Sequence, residues 1–157
     1  LMVVVVDLNA IKMIIDSSIE FDNTDMFYET FNEKPKYFLD EELEETYVLF
    51  VEKGVSILYD DEGEFECLFF HFNGDEDVKQ CELNVLGFTF GMDLADVENN
   101  IKGGGYSLVK SISLDGTGGG VNGSKVIKKE NIYINIEFNK LGFVSLLSFM
   151  DQNSYPS

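Results

Sequence analysis

Residues 46–72 read TYVLFVEKGVSILYDDEGEFECLFFHF, and the two-residue alternation of apolar and polar side chains within them decides the fold. Segments 46–52 and 55–60 are strands joined at Lys53-Gly54, and 64–72 follows across Asp61-Glu62-Gly63. Loops this short join antiparallel neighbours, so the three segments form a meander. From Cys67 onward both alternating sets turn apolar, through Leu68, Phe69, Phe70 and Phe72. That pattern predicts a central strand covered on both sides, with a helix over one of them.

Toward the N-terminus the period changes from two to that of a helix. Asp7 is placed as N-cap, Val6 and Ile11 form a hydrophobic staple, and Leu8, Ile11, Ile14 and Ile15 share one face, with an end near Ser17 or Ser18. Between Phe21 and Asp40 the pattern weakens: Thr24 is the candidate cap of a short helix through Phe31, and Pro35 interrupts any regular element beyond it.

Toward the C-terminus a second helix is signalled by Asp93 as N-cap, Asp96 at N3, Met92 and Val97 as staple, and Leu94, Val97 and Ile101 on one face, with Gly103 beyond its end. Segments 106–114, 125–129, 131–138 and 143–150 read as further strands, the third with Ile132, Ile134, Ile136 and Phe138 on one side only. Asn139 to Gly142 makes the last hairpin turn. The expected architecture is α+β: an antiparallel β-sheet meander with an N-terminal helix and a second helix near 93–102 packed on it. We read one domain over 1–157, acidic through residue 100, near-neutral and strand-rich over 101–150, and a polar tail at 151–157. Each half looks like a helix plus strands, although nothing repeats residue for residue.

Charge narrows the function. The net charge is −18, every basic residue is lysine, and arginine, the usual bidentate grip on phosphate, is absent. Nucleic acid and anionic membranes are therefore disfavoured as partners. Residues 1–100 hold 25 acids against 5 lysines, whereas 101–157 hold 4 acids and 6 lysines; an asymmetry of this kind marks either a solvated acidic face or a directional field that draws in a cationic partner. Cys67 and Cys81 stand 14 residues apart with no CxxC pair, as buried reduced thiols do, Cys67 in the core. The opening apolar run is shorter than a signal-peptide core and lacks a basic flank, so the reading is a cytoplasmic protein.

Candidate chemistry is sparse. Gly118-Gly119-Gly120-Val121-Asn122-Gly123 formally matches GxGxxG, but the motif needs a strand before it and a helix after it; a glycine-rich hairpin loop is the expectation. His71, the single histidine, shares a strand face with Cys67 and Phe69 and reads as structural rather than as a catalytic base. No cofactor, metal or catalytic residue is expected, and the chain reads as a binding protein, not an enzyme. The residues expected to meet the partner are three acidic clusters and two aromatic anchors: Asp40, Glu41, Glu42, Glu44 and Glu45; Asp60, Asp61, Glu62 and Glu64; Asp75, Glu76 and Asp77; with Tyr47 and Tyr59 as exposed anchors. The second and third clusters should lie at opposite ends of the strand that separates them.

One resemblance adds to this. Tyr47-Val48-Leu49-Phe50, Lys53-Gly54-Val55-Ser56-Ile57-Leu58-Tyr59-Asp60 and Gly63-Glu64-Phe65, followed by Leu86-Gly87-Phe88-Thr89-Phe90-Gly91-Met92 and Asp96-Val97, resemble bacterial immunity proteins of the pyocin and contact-dependent growth inhibition systems over about residues 45–150. The prolines that often flank the capped helix in that family are replaced by Gly87-Phe88 and Lys102-Gly103. The resemblance implies a cytoplasmic protein that binds and neutralises a cognate cationic toxin domain, commonly a nuclease. An alternative is a structural or envelope-assembly module, because Gly91 to Val97 also looks like the helix start of small outer-membrane assembly lipoproteins; those carry a lipid-bearing N-terminal cysteine, which this sequence lacks.

Overall fold

A computed structural model of the chain describes residues 3–113 and 121–155. The elements run β1 (Val5–Val6), α1 (Leu8–Ile15), α2 (Thr24–Phe31), β2 (Lys36–Asp40), β3 (Glu45–Phe50), β4 (Val55–Tyr59), β5 (Phe65–His71), β6 (Asn84–Val85), α3 (Leu94–Gly103), β7 (Ser107–Ser113), β8 (Val121–Lys129), β9 (Ile132–Asn139) and β10 (Val144–Asp151). Eight strands form one antiparallel sheet in the order β2-β3-β4-β5-β10-β9-β8-β7, and β1 pairs with β6 in a separate parallel ladder. The fold is α+β, mostly sheet. Each half of the chain supplies helix and then a four-strand meander, and the halves meet where β5 pairs antiparallel with β10. The sequence asymmetry in charge thus becomes a spatial one, with the acidic meander on one side of the sheet and the lysine-bearing meander on the other.

The predicted meander of β3, β4 and β5 is present, and β5 lies centrally between β4 and β10. Val48, Ile57, Leu68 and Phe149 stand opposite one another across successive strands, and all four are fully buried beneath the helices. The core is phenylalanine-rich: Phe27 and Phe31 of α2 meet Phe50 at ring distances of 5.4 and 4.5 Å, and Phe70 meets Phe149 edge-on at 5.5 Å. Aromatic pairs in such geometry add to the area they bury.

Local signals explain the helices. Asp7 accepts from Ala10 N–H at 2.9 Å and starts α1, with Val6 and Ile11 both buried. Asp93 and Asp96 form a reciprocal capping box on α3, which satisfies two otherwise orphaned donors.

Several expectations are corrected. Thr24 is the first residue of α2, not its cap; Asn23 holds that position, and Thr24 N–H donates to Asp22 at 3.0 Å. Gly103 belongs to α3 and Gly104 is the C-cap, whose carbonyl receives Lys129 Nζ at 2.8 Å. Leu94 points to solvent. The helix over β5 is α1, while α3 is tied to β8 through Glu98–Lys125, 3.7 Å. Residues 118–120 lie outside the described residues, but Val121 to Gly123 open β8, so a strand stands where a dinucleotide site needs a helix. The expected two-sided cover of β5 is also absent, because α1, α2 and α3 all pack on one side and, among the described residues, no helix lies over the other. Cys67 is buried there, on the helix-free face and outside the main core.

Candidate binding surface

Antiparallel order brings the β2–β3 and β4–β5 turns to the same end of the sheet, two strand spacings or about 10 Å apart. Each is built by an aspartate that accepts bonds from its own turn: Asp40 Oδ1 from the N–H groups of Glu42 and Leu43 at 3.1 and 3.3 Å, Asp60 Oδ1 from those of Glu62 and Glu64 at 2.9 Å each. These side chains mimic the turn backbone. The second tip is held against the α1–α2 connection, where Gly63 O accepts Ile19 N–H at 2.8 Å and Ser18 Oγ at 3.1 Å.

Ten carboxylates gather at this end: Asp40, Glu41, Glu42, Glu44, Glu45, Asp60, Asp61, Glu62, Glu64 and Glu66. Neither tip contains a lysine. Among the described residues the ion pairs are Lys12–Glu130, Lys79–Glu52 and Lys125–Glu98, and His71 faces Asp75, so none of the ten is neutralised by a cation. The tips are separated by about the Debye length at physiological salt, roughly 8 Å, so their fields overlap in dilute buffer and are screened in concentrated salt.

The consequence is visible at Glu66, which sequence reasoning missed. It is the extra residue of a β-bulge, since Leu58 pairs with Cys67 and Tyr59 with Phe65. The bulge turns its carboxyl toward Glu45. Burial first, then the hydrogen bond and charge of Glu45, then Asp60 and Asp61, push the Glu66 carboxyl up to about 7. The pair thus holds a proton near neutrality that isolated carboxylates release. Tyr47, half-buried beside them, has its phenol raised by burial and by Glu45, Asp40 and Glu66.

Tyr59 corrects a prediction. It is fully buried, its hydroxyl lies 2.6 Å from Ser17 Oγ, and burial pushes it up to about 12; it anchors the core, not a partner. It had been expected as an exposed anchor, but it shares the core-facing side of β4 with Val55 and Ile57, under the helices. Asp75, Glu76 and Asp77 lie past the end of β5, away from both tips, as the strand length implied.

The helix-free face adds a second feature. Cross-strand neighbours Phe38, Tyr47, Leu58 and Cys67 form one row, and Leu49, Ser56, Phe69 and Ser148 the next. Between them lies a groove of about 440 Å³, walled by Phe38, Tyr47, Leu49, Phe69 and Leu146, with Ser56 and His71 on its floor and Asp75 and Asp77 at its rim. His71 Nε2 is 2.8 Å from Ser56 Oγ and Nδ1 is 3.6 Å from Asp75 Oδ2. Burial lowers the imidazole pKa, opposed by the charges of Asp75 and Asp77. The three groups stand in the order of a hydrolase relay. Ser56, however, lies mid-strand with β3 and β5 paired on its two sides, so its N–H is committed to the ladder and supplies no oxyanion donor. Among the described residues no three His, Cys, Asp or Glu side chains are arranged to hold a metal ion, and no helix is long and apolar enough to cross a membrane.

The chain matches no protein-family model, no curated protein and no solved structure with which it was compared.

Proposed function

We propose that the chain is an immunity protein that binds and neutralises a cognate cationic toxin domain, a nuclease in the simplest case, in the cytoplasm of the cell that makes the toxin. The observation that carries this reading is the gathering of ten carboxylates, none paired with a cation among the described residues, on two adjacent hairpin tips. Such a surface is self-repelling in the free protein and gains when a cationic surface covers it. A nuclease must be cationic to hold its substrate, so an acidic inhibitor is steered onto it at up to about 10⁸–10⁹ M⁻¹s⁻¹ in low salt. The tips supply the encounter. Tyr47 and the apolar groove beside it supply the desolvated centre that a tight complex needs, and the bulk of the sheet then blocks access of nucleic acid to the toxin.

The test is co-expression with the toxin encoded immediately upstream. Rescue of growth supports the reading. Loss of rescue when Glu41, Glu42, Asp61 and Glu62 are all changed to Lys supports the electrostatic mechanism, since these four side chains leave the turn-forming Asp40 and Asp60 untouched. Absence of rescue by the native chain, with the protein recovered in a membrane fraction, favours the envelope-assembly alternative and sinks the proposal.

A further inference from the structure

β2 is the free edge of the sheet in its acidic half, and its charges, Lys36 and Asp40, stand at its two ends and leave its centre apolar. Edge strands ordinarily carry a central charge, a proline, a bulge or a covering element that stops a newcomer from pairing with their free N–H and C=O groups. The opposite edge, β7, follows that rule, with Lys110 inside the strand and a register shift between Leu108 and Lys110. By contrast, β2 pairs with β3 over all five residues without a shift, and Pro35 lies before it rather than in it. Its central side chains, Tyr37, Phe38 and Leu39, are 56, 57 and 56% exposed. Phe38 stands on the helix-free face of this straight edge and Tyr37 and Leu39 on the other, so a strand paired there covers apolar surface on both faces.

The residue order selects what covers it. Lys36-Tyr37-Phe38-Leu39-Asp40 has a cation at one end, an anion at the other and apolar side chains between. Laid antiparallel on itself about Phe38, it sets Lys36 opposite Asp40 of the second copy twice over, Tyr37 opposite Leu39, and Phe38 opposite Phe38. Alternate residues of an edge strand turn their backbone groups outward. This register sets odd-numbered residues opposite odd and even opposite even, so the outward groups of the two copies meet. Antiparallel pairing brings the Asp40–Glu45 turn of one copy to the Pro35 end of the other, where Lys34, Lys36, Lys53 and Lys79 stand among Glu33, Glu52 and the Asp75–Asp77 loop, so the charge match that selects this register is the Lys36–Asp40 pair itself.

We propose that the chain self-associates as a two-fold symmetric dimer through antiparallel β2–β2 pairing, which joins two eight-stranded sheets into one continuous sheet. The helices of both copies fall on the same side. The helix-free faces run together, with each groove beside the axis because Phe38 walls it. The Asp60–Glu64 tip, two strands away, stays clear for a cationic partner. Five-residue strands give an interface at the small end of the specific range, so the dimer forms in a concentration-dependent way. The net charge of −18 per copy opposes approach at long range, but physiological salt screens that repulsion beyond roughly 8 Å and leaves the short-range pairs to decide.

Sedimentation velocity across a protein concentration series at physiological salt tests this. The native chain gives a monomer–dimer equilibrium. Lys36→Glu alone, or Asp40→Lys alone, sets like charges opposite each other twice per dimer and weakens association about tenfold or more. An equimolar mixture of the two variants recovers the dimer, because each reversed charge then faces its opposite in the mate; that recovery also excludes misfolding as the cause of the single-variant loss. The proposal is overturned by a native chain that stays monomeric throughout, by single variants that dimerise as the native chain does, or by a mixture that does not recover. Species that grow without limit also overturn it, since they report β2 pairing with β7.

Discussion

Replacing Glu66 with Gln tests the acidic end from inside the molecule. The folded chain holds the Glu66 carboxyl up to about 7, mainly through burial and its contact with Glu45, whereas the unfolded chain releases the proton at the ordinary glutamate value near 4.3. Between those values the folded state binds the extra proton, so stability falls as pH rises from about 4.3 to 7, and the full penalty is present above 7. Taken whole, the displacement is worth about 4 kcal/mol. Glu66 is only partly buried, and water around it screens the repulsion, which brings the penalty to about 1 kcal/mol. Glutamine keeps the shape and the donor of the protonated acid without its charge. Glu66→Gln should therefore stabilise the protein by about 1 kcal/mol at pH 8 and change it little at pH 5, as read from urea denaturation at both pH values. Equal effects at the two pH values, or destabilisation at pH 8, would refute the reasoning.

Four further substitutions probe the scaffold. The Ser17 hydroxyl donates to Ile14 O and accepts from Tyr59; Ser17→Ala leaves a buried phenol without a partner and should cost about 2 kcal/mol, whereas Tyr59→Phe leaves Ser17 bonded and should cost about 1 kcal/mol, both by thermal or urea unfolding. Gly54 has φ +72°, and an added Cβ would run into Lys79 O and the Cys81 backbone. Gly54→Ala should accordingly cost about 3 kcal/mol or more and expose the Cys81 thiol to alkylating reagents in the folded state. Asp93→Ala removes one half of the capping box and should cost about 1 kcal/mol, with hydrogen exchange accelerated at the first turn of α3 and unchanged in β5.

The parts of the fold written in local patterns were legible. The hairpin spacing of β3, β4 and β5, the alternation of β9 and the caps at Asp7 and Asp93 each depend on residues close in sequence, and the structure contains all of them. β2 was missed because Tyr37, Phe38 and Leu39 are consecutive apolar residues without alternation, and its strand character comes from pairing with β3. β1 and β6 are two residues each, too short to carry a period. The two-sided apolar pattern of β5 was visible, but the sequence does not say whether a helix or open solvent lies beyond Phe69; the outcome is a groove. The acidic tips were legible as compositions, and their shared end followed only once strand order was known. Tyr59 could have been placed inside from its alternation with Val55 and Ile57 on β4, whereas the position of Glu66 follows from a single-residue bulge in β5 that no local pattern announces.

Association kinetics with the polypeptide encoded immediately upstream, measured by stopped flow as salt is raised, test the central claim most directly. The account predicts a rate that falls steeply with salt and falls again when Glu41, Glu42, Asp61 and Glu62 are reversed to Lys, with the unfolding midpoint of the variant no lower than that of the native chain. No association, or a rate indifferent both to salt and to those four reversals, would contradict it.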